Sequence, residues 1–373
     1  MTGVVVAGAL ANKAGSAGEA WVRLSWVRGL ERLGLDVWFV EELADAAEDS
    51  PAAAWFRAVA ERFGLVGRAT LLSHDGAIVG PSLEELLAVA RETTLVNISG
   101  HLTLPRLFEA FRQRVMVDID PGFTQFWHHL GMPGAHVLGH DLHFTIGELI
   151  GTPGCPIPTG GIDWHAVRQP VVLDDWPAVD AGEADRFTTV ANWRGPFGPV
   201  EHGGRTYGLK VHEFRKFLAL PRRSRHRFEI ALDIHPADDR DRMALLENGW
   251  RIIDPRAVAG DPDAFRTYVQ GSGAEFSVAQ GIYVDTGCGW FSDRTTRYLA
   301  SGKPALVQET GFSRTLPVGD GLVAFRSLHE AVEGAADIVA RYPEHSAVAR
   351  RIAENHFAAE RVLARFCEEA NLA

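Results

Sequence analysis

Apolar residues fall into short runs separated by stretches where they recur at helical spacing. Gly3 to Leu10 (GVVVAGAL) is the first run, Glu19 to Gly34 has the helical period, and Asp36 to Val40 is apolar again. Strand, loop, helix, strand is the opening of a parallel sheet with crossover helices. The rhythm continues with strands at Ala69 to Ser73, Thr94 to Ile98 and Arg114 to Ile119, and helices at Ser82 to Arg91 and Pro105 to Arg112. Pro153 to Pro158 breaks it, and Ile162 to Pro177 reads as a connector. It restarts with strands at Phe187 to Asn192, Phe228 to Leu232, Trp250 to Ile253, Glu275 to Ala279 and Pro304 to Val307, and helices at His212 to Leu218, Asp263 to Gln270 and Thr295 to Ser301. Ala347 to Leu372 carries the pattern of one long amphipathic helix. The expected fold is α/β, with two Rossmann-like domains facing each other across a cleft. Residues 1–180 would form the first, 181–345 the second, and 346–373 a helix returning to the first.

In such sheets ligands bind beyond the carboxyl ends of the strands, so residues just after each run are candidates. In the first half these are Asn97, Ser99, Gly100 and His101 after one strand and Asp118 and Asp120 after another, with Glu19 at the start of the first helix. Glu41, ending the second strand, stands where a ribose-binding acid would be, but Gly8, Gly15 and Gly18 do not fit G-x-G-x-x-G, which disfavours a nicotinamide enzyme. His128, His129, His136, His140 and His143 cluster without metal-ligand spacing. His140 with Asp141 is read instead as an acid/base pair or a hydrogen-bond partner, against the alternative of packed or surface histidines. Asp118, Asp120, His140, Asp141 and Glu19 are thus the candidate catalytic groups.

In the second half, Thr286 to Gly311 (TGCGWFSDRTTRYLASGKPALVQETG) runs from a glycine turn into a helix, a glycine-proline turn, a strand and a polar loop. The helix start, with Ser292 or Asp293 as N-cap, Thr295 and the cation Arg294, reads as a diphosphate cradle. Glu309, Thr310 and Gly311 would face the sugar or ribose. Trp193, Arg194, Lys210 and Asp254 follow strand ends, and Trp290 stands in the glycine turn; the tryptophans could stack on a base.

Composition narrows the classes. The 373 residues carry 37 Lys+Arg against 48 Asp+Glu, a net charge of −11, which argues against general binding to nucleic acid or anionic lipid. Three widely spaced cysteines form neither a disulfide framework nor a zinc pattern, which fits a cytoplasmic protein. No apolar run approaches the roughly 18 residues of a membrane span.

From Trp250 to Phe325 the chain resembles the donor half of the GT-B-fold glycosyltransferases. The resemblance rests on GWFSDRTTRYLASGKPALVQETG, on the turn Ala300, Ser301, Gly302 and Pro304, and on the closing segment Asp320, Gly321 and Phe325 in LPVGDGLVAF. With VDIDPGFTQ, HDLHFTIGE and TTVANWR the chain also looks like a group of bacterial family-1-like glycosyltransferases. The resemblance implies a cytoplasmic, metal-independent transferase, monomer or homodimer. It would use a UDP-, TDP- or GDP-sugar as co-substrate without a further cofactor, on a small-molecule, natural-product or glycan acceptor. Two departures stand out. Arg297 occupies the position of the glutamate that holds the donor ribose in many retaining members, so that either Glu309 substitutes for it or the nucleotide is held differently; and the plant-type histidine after the first strand is absent, with Asn12, Lys13 and Glu19 in that region. The alternatives are a nucleotide-sugar 2-epimerase or hydrolase of the same fold and a non-catalytic nucleotide-sugar-binding protein.

Overall fold

The computed structural model describes residues 3–180, 184 and 186–372; residue 181, the expected start of the second domain, lies outside them. The chain forms two compact α/β units. The first comprises residues up to Gly151, Pro158–Val172 and the chain from Ala359 on; the second comprises Thr152–Ile157 and Leu173–Ala358.

The first unit holds β1 (Gly3–Ala7), β2 (Asp36–Glu42), β3 (Ala69–Ser73), β4 (Gly76–Val79), β5 (Thr94–Ile98), β6 (Gln113–Asp118), β7 (Leu142–Thr145) and β8 (Trp164–Ala166), in the order β4-β3-β2-β1-β5-β6-β7-β8. All neighbours are parallel except β3 and β4. The VVVA of β1 is buried throughout, as a strand covered on both faces by helices requires. Two strands escape the sequence reading: the half-buried β4 and β8, the latter inside the expected connector. Both are edge strands of four and three residues, too short to show a period.

The second unit has an all-parallel sheet of β9 (Phe187–Asn192), β12 (Phe228–Asp233), β13 (Arg251–Ile253), β14 (Ala274–Ser277), β15 (Ala305–Gln308) and β16 (Leu322–Phe325), ordered β13-β12-β9-β14-β15-β16. The hairpin of β10 (Val200–His202) and β11 (Arg205–Tyr207) grows from the loop after β9. Phe276 on β14 centres the core, stacked on Phe325 at 5.2 Å and edge-on to Phe228 at 5.6 Å, with Trp250 at 5.7 Å.

The expected long terminal helix is two helices, Tyr342–His356 and Ala359–Glu369. The break follows from packing. Arg350 and Ser346 of the first donate to the carbonyls of Ala300 and Gly302 in the second unit. The second helix lies on Ala17–Arg32 of the first unit, with Phe366 edge-on to Trp26 at 5.0 Å. Glycine is required at Gly29, where a Cβ would run into Leu363 and Ala359.

Candidate functional site

In the second unit the carboxyl ends of β9 and β14 converge on one lysine. The loop after β9 ends at Gly208, and the loop after β14 passes so close that a Cβ on Gly281 would lie 2.8 Å from the Gly208 carbonyl. Lys210 begins the Lys210–Phe214 helix there, its backbone N–H held by Gln280 Oε1 at 2.6 Å. Its ammonium makes no hydrogen bond or ion pair among the described residues. Burial, and then the Arg294 guanidinium, push its pKa down to about 7, against the opposing pull of Glu275 and Asp293. An unpartnered cation held beside a second cation makes this a candidate anion site.

Arg294 itself is placed differently from the sequence expectation. Its guanidinium is held by β9 and β14, donating to Glu275 Oε1 at 2.7 Å, the Val190 carbonyl at 2.8 Å and Ser277 Oγ at 2.9 Å. Glu275 is fully buried, so its attraction to Arg294 is unscreened, and with the Val190 carbonyl and Ser277 it takes the donors that a phosphate would have used. Arg294 therefore acts on the site through its charge.

The remaining donor-side candidates divide between scaffold and surface. Ser292 is the N-cap of Asp293–Ala300, accepting the Arg294 N–H at 3.3 Å, and Thr295 is buried beside Glu275. Trp193 is core, 1% exposed against Phe214, with its indole N–H on Asp241 at 2.8 Å; stacking on a ligand is ruled out by burial. Arg194 forks onto Asp238, which neutralises it, and exposed Asp254 caps the Pro255–Ala259 helix through the Arg256 N–H at 2.9 Å. Trp290 is half-buried and stacked on Tyr283 at 4.5 Å, and its carbonyl accepts from Thr310. Glu309 closes its own turn, accepting the Gly311 N–H at 2.6 Å with Gly311 at φ 99°, while its second oxygen faces Arg326 at 3.4 Å. Arg297, in place of the ribose glutamate, is buried with Asp293 and lies over the Trp176 ring.

In the first unit the acids after β6 have opposite fates. Buried Asp118 accepts from Thr124 and Thr145 hydroxyls at 2.7 Å each, Gln125 at 2.8 Å and the Asp120 N–H at 3.0 Å, which uses its lone pairs and removes it as a substrate group. Asp120 is half-exposed, and its carboxylate has no hydrogen-bond or ion-pair partner among the described residues. Burial, with the Asp118 and Glu19 carboxylates, raises its pKa to about 7. Glu19 is ion-paired with the buried Arg23; although burial works against it, that charge holds its carboxyl below the ordinary value. His101 joins this group, and burial and the Arg23 charge lower its pKa to about 4. Backbone strain sits alongside: Ser99 at φ 55° and His136 at φ 44° flank Gly100, whose Cβ would strike His136.

Three further residues are corrected. His140 is a structural link, its Nδ1–H on the Val137 carbonyl at 3.1 Å and its Nε2 accepting from Asn97 at 3.1 Å in the tautomer the network assigns. Burial pushes it down to about 4. Asp141 precedes β7 at the amino edge, paired with Arg114. Glu41, the would-be ribose acid, is buried and accepts the N–H groups of Leu10, Ala11 and Asn12 at 2.7, 2.6 and 2.8 Å. It occupies with its own carboxylate the nest after β1.

Two residues were missed by sequence reasoning. Gln280 sat in plain view at the end of EFSVAQG, a polar residue before a glycine; Arg23 lay inside an apolar helix, where a buried charge has no sequence signature.

No family model matches the sequence, and no curated protein matches it. Solved structures do match over the full chain. Sucrose-phosphate synthase from Thermosynechococcus elongatus superposes with a TM-score of 0.58 at 9% identity, covering 100% of this chain and 98% of its own. An alpha-glucosyltransferase solved with UDP gives 0.63 at 8% identity with 100% of both chains covered, and Anabaena HepE solved with UDP and glucose gives 0.61 at 11% identity with the same coverage. The chain has the GT-B fold. At such identities the likeness is one of architecture. In a GT-B chain the loops after β9 and β14 are strand-end loops of a Rossmann-like unit, the position at which Lys210 stands.

Proposed function

We propose that the protein is a glycosyltransferase that moves a sugar from a nucleoside diphosphate sugar to an acceptor hydroxyl. The observation that carries this reading is the unpartnered Lys210 ammonium at the strand ends of the second unit, beside the Arg294 charge. A departing diphosphate gains negative charge as the bond from C1 to the phosphate oxygen breaks, and a fixed cation stabilises that state more than the intact donor. Lys210 supplies that cation without a divalent metal. Trp290, stacked on Tyr283 through one face, stands in the glycine turn before the Asp293–Ala300 helix. The structural neighbours solved with UDP make UDP-sugars the first donors to test, ahead of TDP- and GDP-sugars.

Asp120 is the proposed base of the acceptor side. Its carboxylate takes the hydroxyl proton as the acceptor oxygen bonds to C1, and the electron pair of the broken bond leaves with the diphosphate. Asp118 holds Asp120 in place through its backbone N–H. A small molecule or a glycan would serve as acceptor, in the cytoplasm. The test is a thermal-shift and calorimetric panel of UDP, TDP and GDP with their sugars; a ligand that binds only the folded state raises the melting temperature. No shift with any of them would refute the donor assignment. Release of free sugar without acceptor would favour a hydrolase, and binding without turnover a binding protein.

A further inference from the structure

A second feature of the molecule lies far from Lys210. From the Leu220–Ser224 helix into β12 runs the sequence PRRSRHRF, which places Arg222, Arg223, Arg225 and Arg227 within six residues. All four are exposed. None makes an ion pair or hydrogen bond through its side chain among the described residues, unlike most arginines of this chain. A chain of net charge −11 has an excess of acids with which to neutralise them, yet leaves them together. Arg225 is also in the left-handed conformation at φ 63°, which closes the helix by donating its N–H to the Pro221 carbonyl at 3.1 Å. Glycine or asparagine is the usual residue there. An arginine with no contact to justify it is kept at a strained position.

The surroundings extend the patch. Arg227 directly precedes β12, and the neighbouring strands begin next to Arg186 and at Arg251, which share Glu229 at 3.6 and 3.1 Å. The amino edge of β13, β12 and β9 is therefore lined with guanidinium groups. Beside it stands the Asp239–Glu247 helix, whose Met243 and Leu246 are 44% and 41% exposed. They lie three apart, on one face. The turn after that helix touches the arginine segment: a Cβ on Gly249 would lie 3.5 Å from Pro221 Cβ, and the Trp250 indole N–H donates to the Leu218 carbonyl at 2.8 Å. Four free arginines and two exposed apolar side chains thus share one surface, with exposed Glu247 as the acid on that helix end.

We infer that this amino-edge surface docks the protein on an anionic phospholipid membrane, the arginines on lipid phosphates and Leu246 and Met243 in the headgroup layer. Charge complementarity identifies the partner as anionic, and the two apolar side chains choose a lipid surface over a nucleic acid. A duplex would gain nothing from the two apolar side chains, and a single strand would want an exposed aromatic ring to stack on, which this surface lacks. Binding here leaves the strand-end site open. Lys210 follows β9 at its other end, and strands of six residues set the two edges roughly 20 Å apart. No helix among the described residues is long and apolar enough to cross a membrane, so the contact is peripheral.

The test is flotation of the full chain with vesicles of phosphatidylcholine alone and of phosphatidylcholine mixed with phosphatidylserine. Binding should require the anionic lipid and weaken with added salt. Each arginine near such a surface is worth roughly a five-fold change in partitioning, so Arg222→Gln with Arg223→Gln should lose about 25-fold. Leu246→Ser should weaken binding without altering its salt dependence. All of these side chains are exposed, so melting temperature and UDP binding should not change in the variants, and those measurements separate lost docking from lost folding. Absence of vesicle binding, equal binding to neutral vesicles, or unchanged binding by the double variant would overturn the inference. Arginine-dependent binding of an oligonucleotide, with none to vesicles, would assign the patch to nucleic acid and overturn it as well.

Discussion

Donor affinity should fall steeply between pH 7 and pH 9, and Lys210 gives the magnitude. Its pKa of about 7 reflects burial and the Arg294 charge, so in the free protein half of the molecules carry the ammonium at pH 7. A diphosphate binds the charged form, and its negative charge raises the lysine's pKa in the complex. The apparent Kd is then the intrinsic one divided by the charged fraction, which falls from about one half at pH 7 to about one in a hundred at pH 9. Kd should rise about 50-fold over that interval, or roughly 2.3 kcal/mol. A terminal phosphate titrates near pH 6, below the window, so UDP itself contributes little. Calorimetry in buffers of different ionisation enthalpy should show proton uptake on binding that disappears in Lys210→Met. The linkage has a second sign. A lysine whose folded pKa lies below its unfolded value costs stability while charged, and that cost is relieved as pH rises through about 7. Lys210→Met should therefore melt higher than the parent at pH 6 while binding UDP less well. A flat Kd from pH 7 to 9 with no proton uptake would refute the reasoning.

Asp120→Asn should retain donor binding but lose about 10²- to 10⁴-fold in turnover, the range for removing a general base. In the parent, kcat should rise with pH through about 7, where Asp120 ionises, and this limb should vanish in the variant. The stability sign runs the other way from Lys210. A carboxyl with a raised folded pKa favours the folded state at low pH and loses that contribution as pH rises through about 7, so Asp120→Asn should be relatively more stable at pH 8 than at pH 5. Glu275→Gln removes the partner of the part-buried Arg294 and should cost about 3 to 5 kcal/mol in chemical denaturation. It also removes a group that favours the charged Lys210, so the pH midpoint of UDP binding should move down.

The alternation of buried strands and amphipathic helices made the double Rossmann-like architecture readable, because a parallel strand covered on both faces must be a continuous apolar run. The short edge strands β4 and β8 and the hairpin lacked that requirement and left no pattern. Strand ends were readable too, and they led to Lys210 and Asp120. Which polar residue at a strand end is free for chemistry was not readable, since that depends on neighbours distant in sequence. Asp118 and Asp120 differ by two positions, but only Asp118 meets Gln125 and Thr145, the latter 27 residues away. Arg294 looked like the phosphate ligand because a cation at a helix start has that meaning in isolation; Glu275, 19 residues earlier, takes it. Glu41 was placed by its strand and then consumed by the loop after β1. Asp118 and Glu41 met their hydrogen-bond needs from the protein, and buried Glu275 took the nearest guanidinium, because a carboxylate left unpaired in a low-dielectric interior costs more than a surface contact returns. The groups left for a ligand are those whose pKa the fold pushes towards neutrality without supplying a partner. In this chain Lys210 and Asp120 have that character, and the proposed transfer uses them for that reason, the first as the cation for a leaving diphosphate and the second as the base for an incoming hydroxyl.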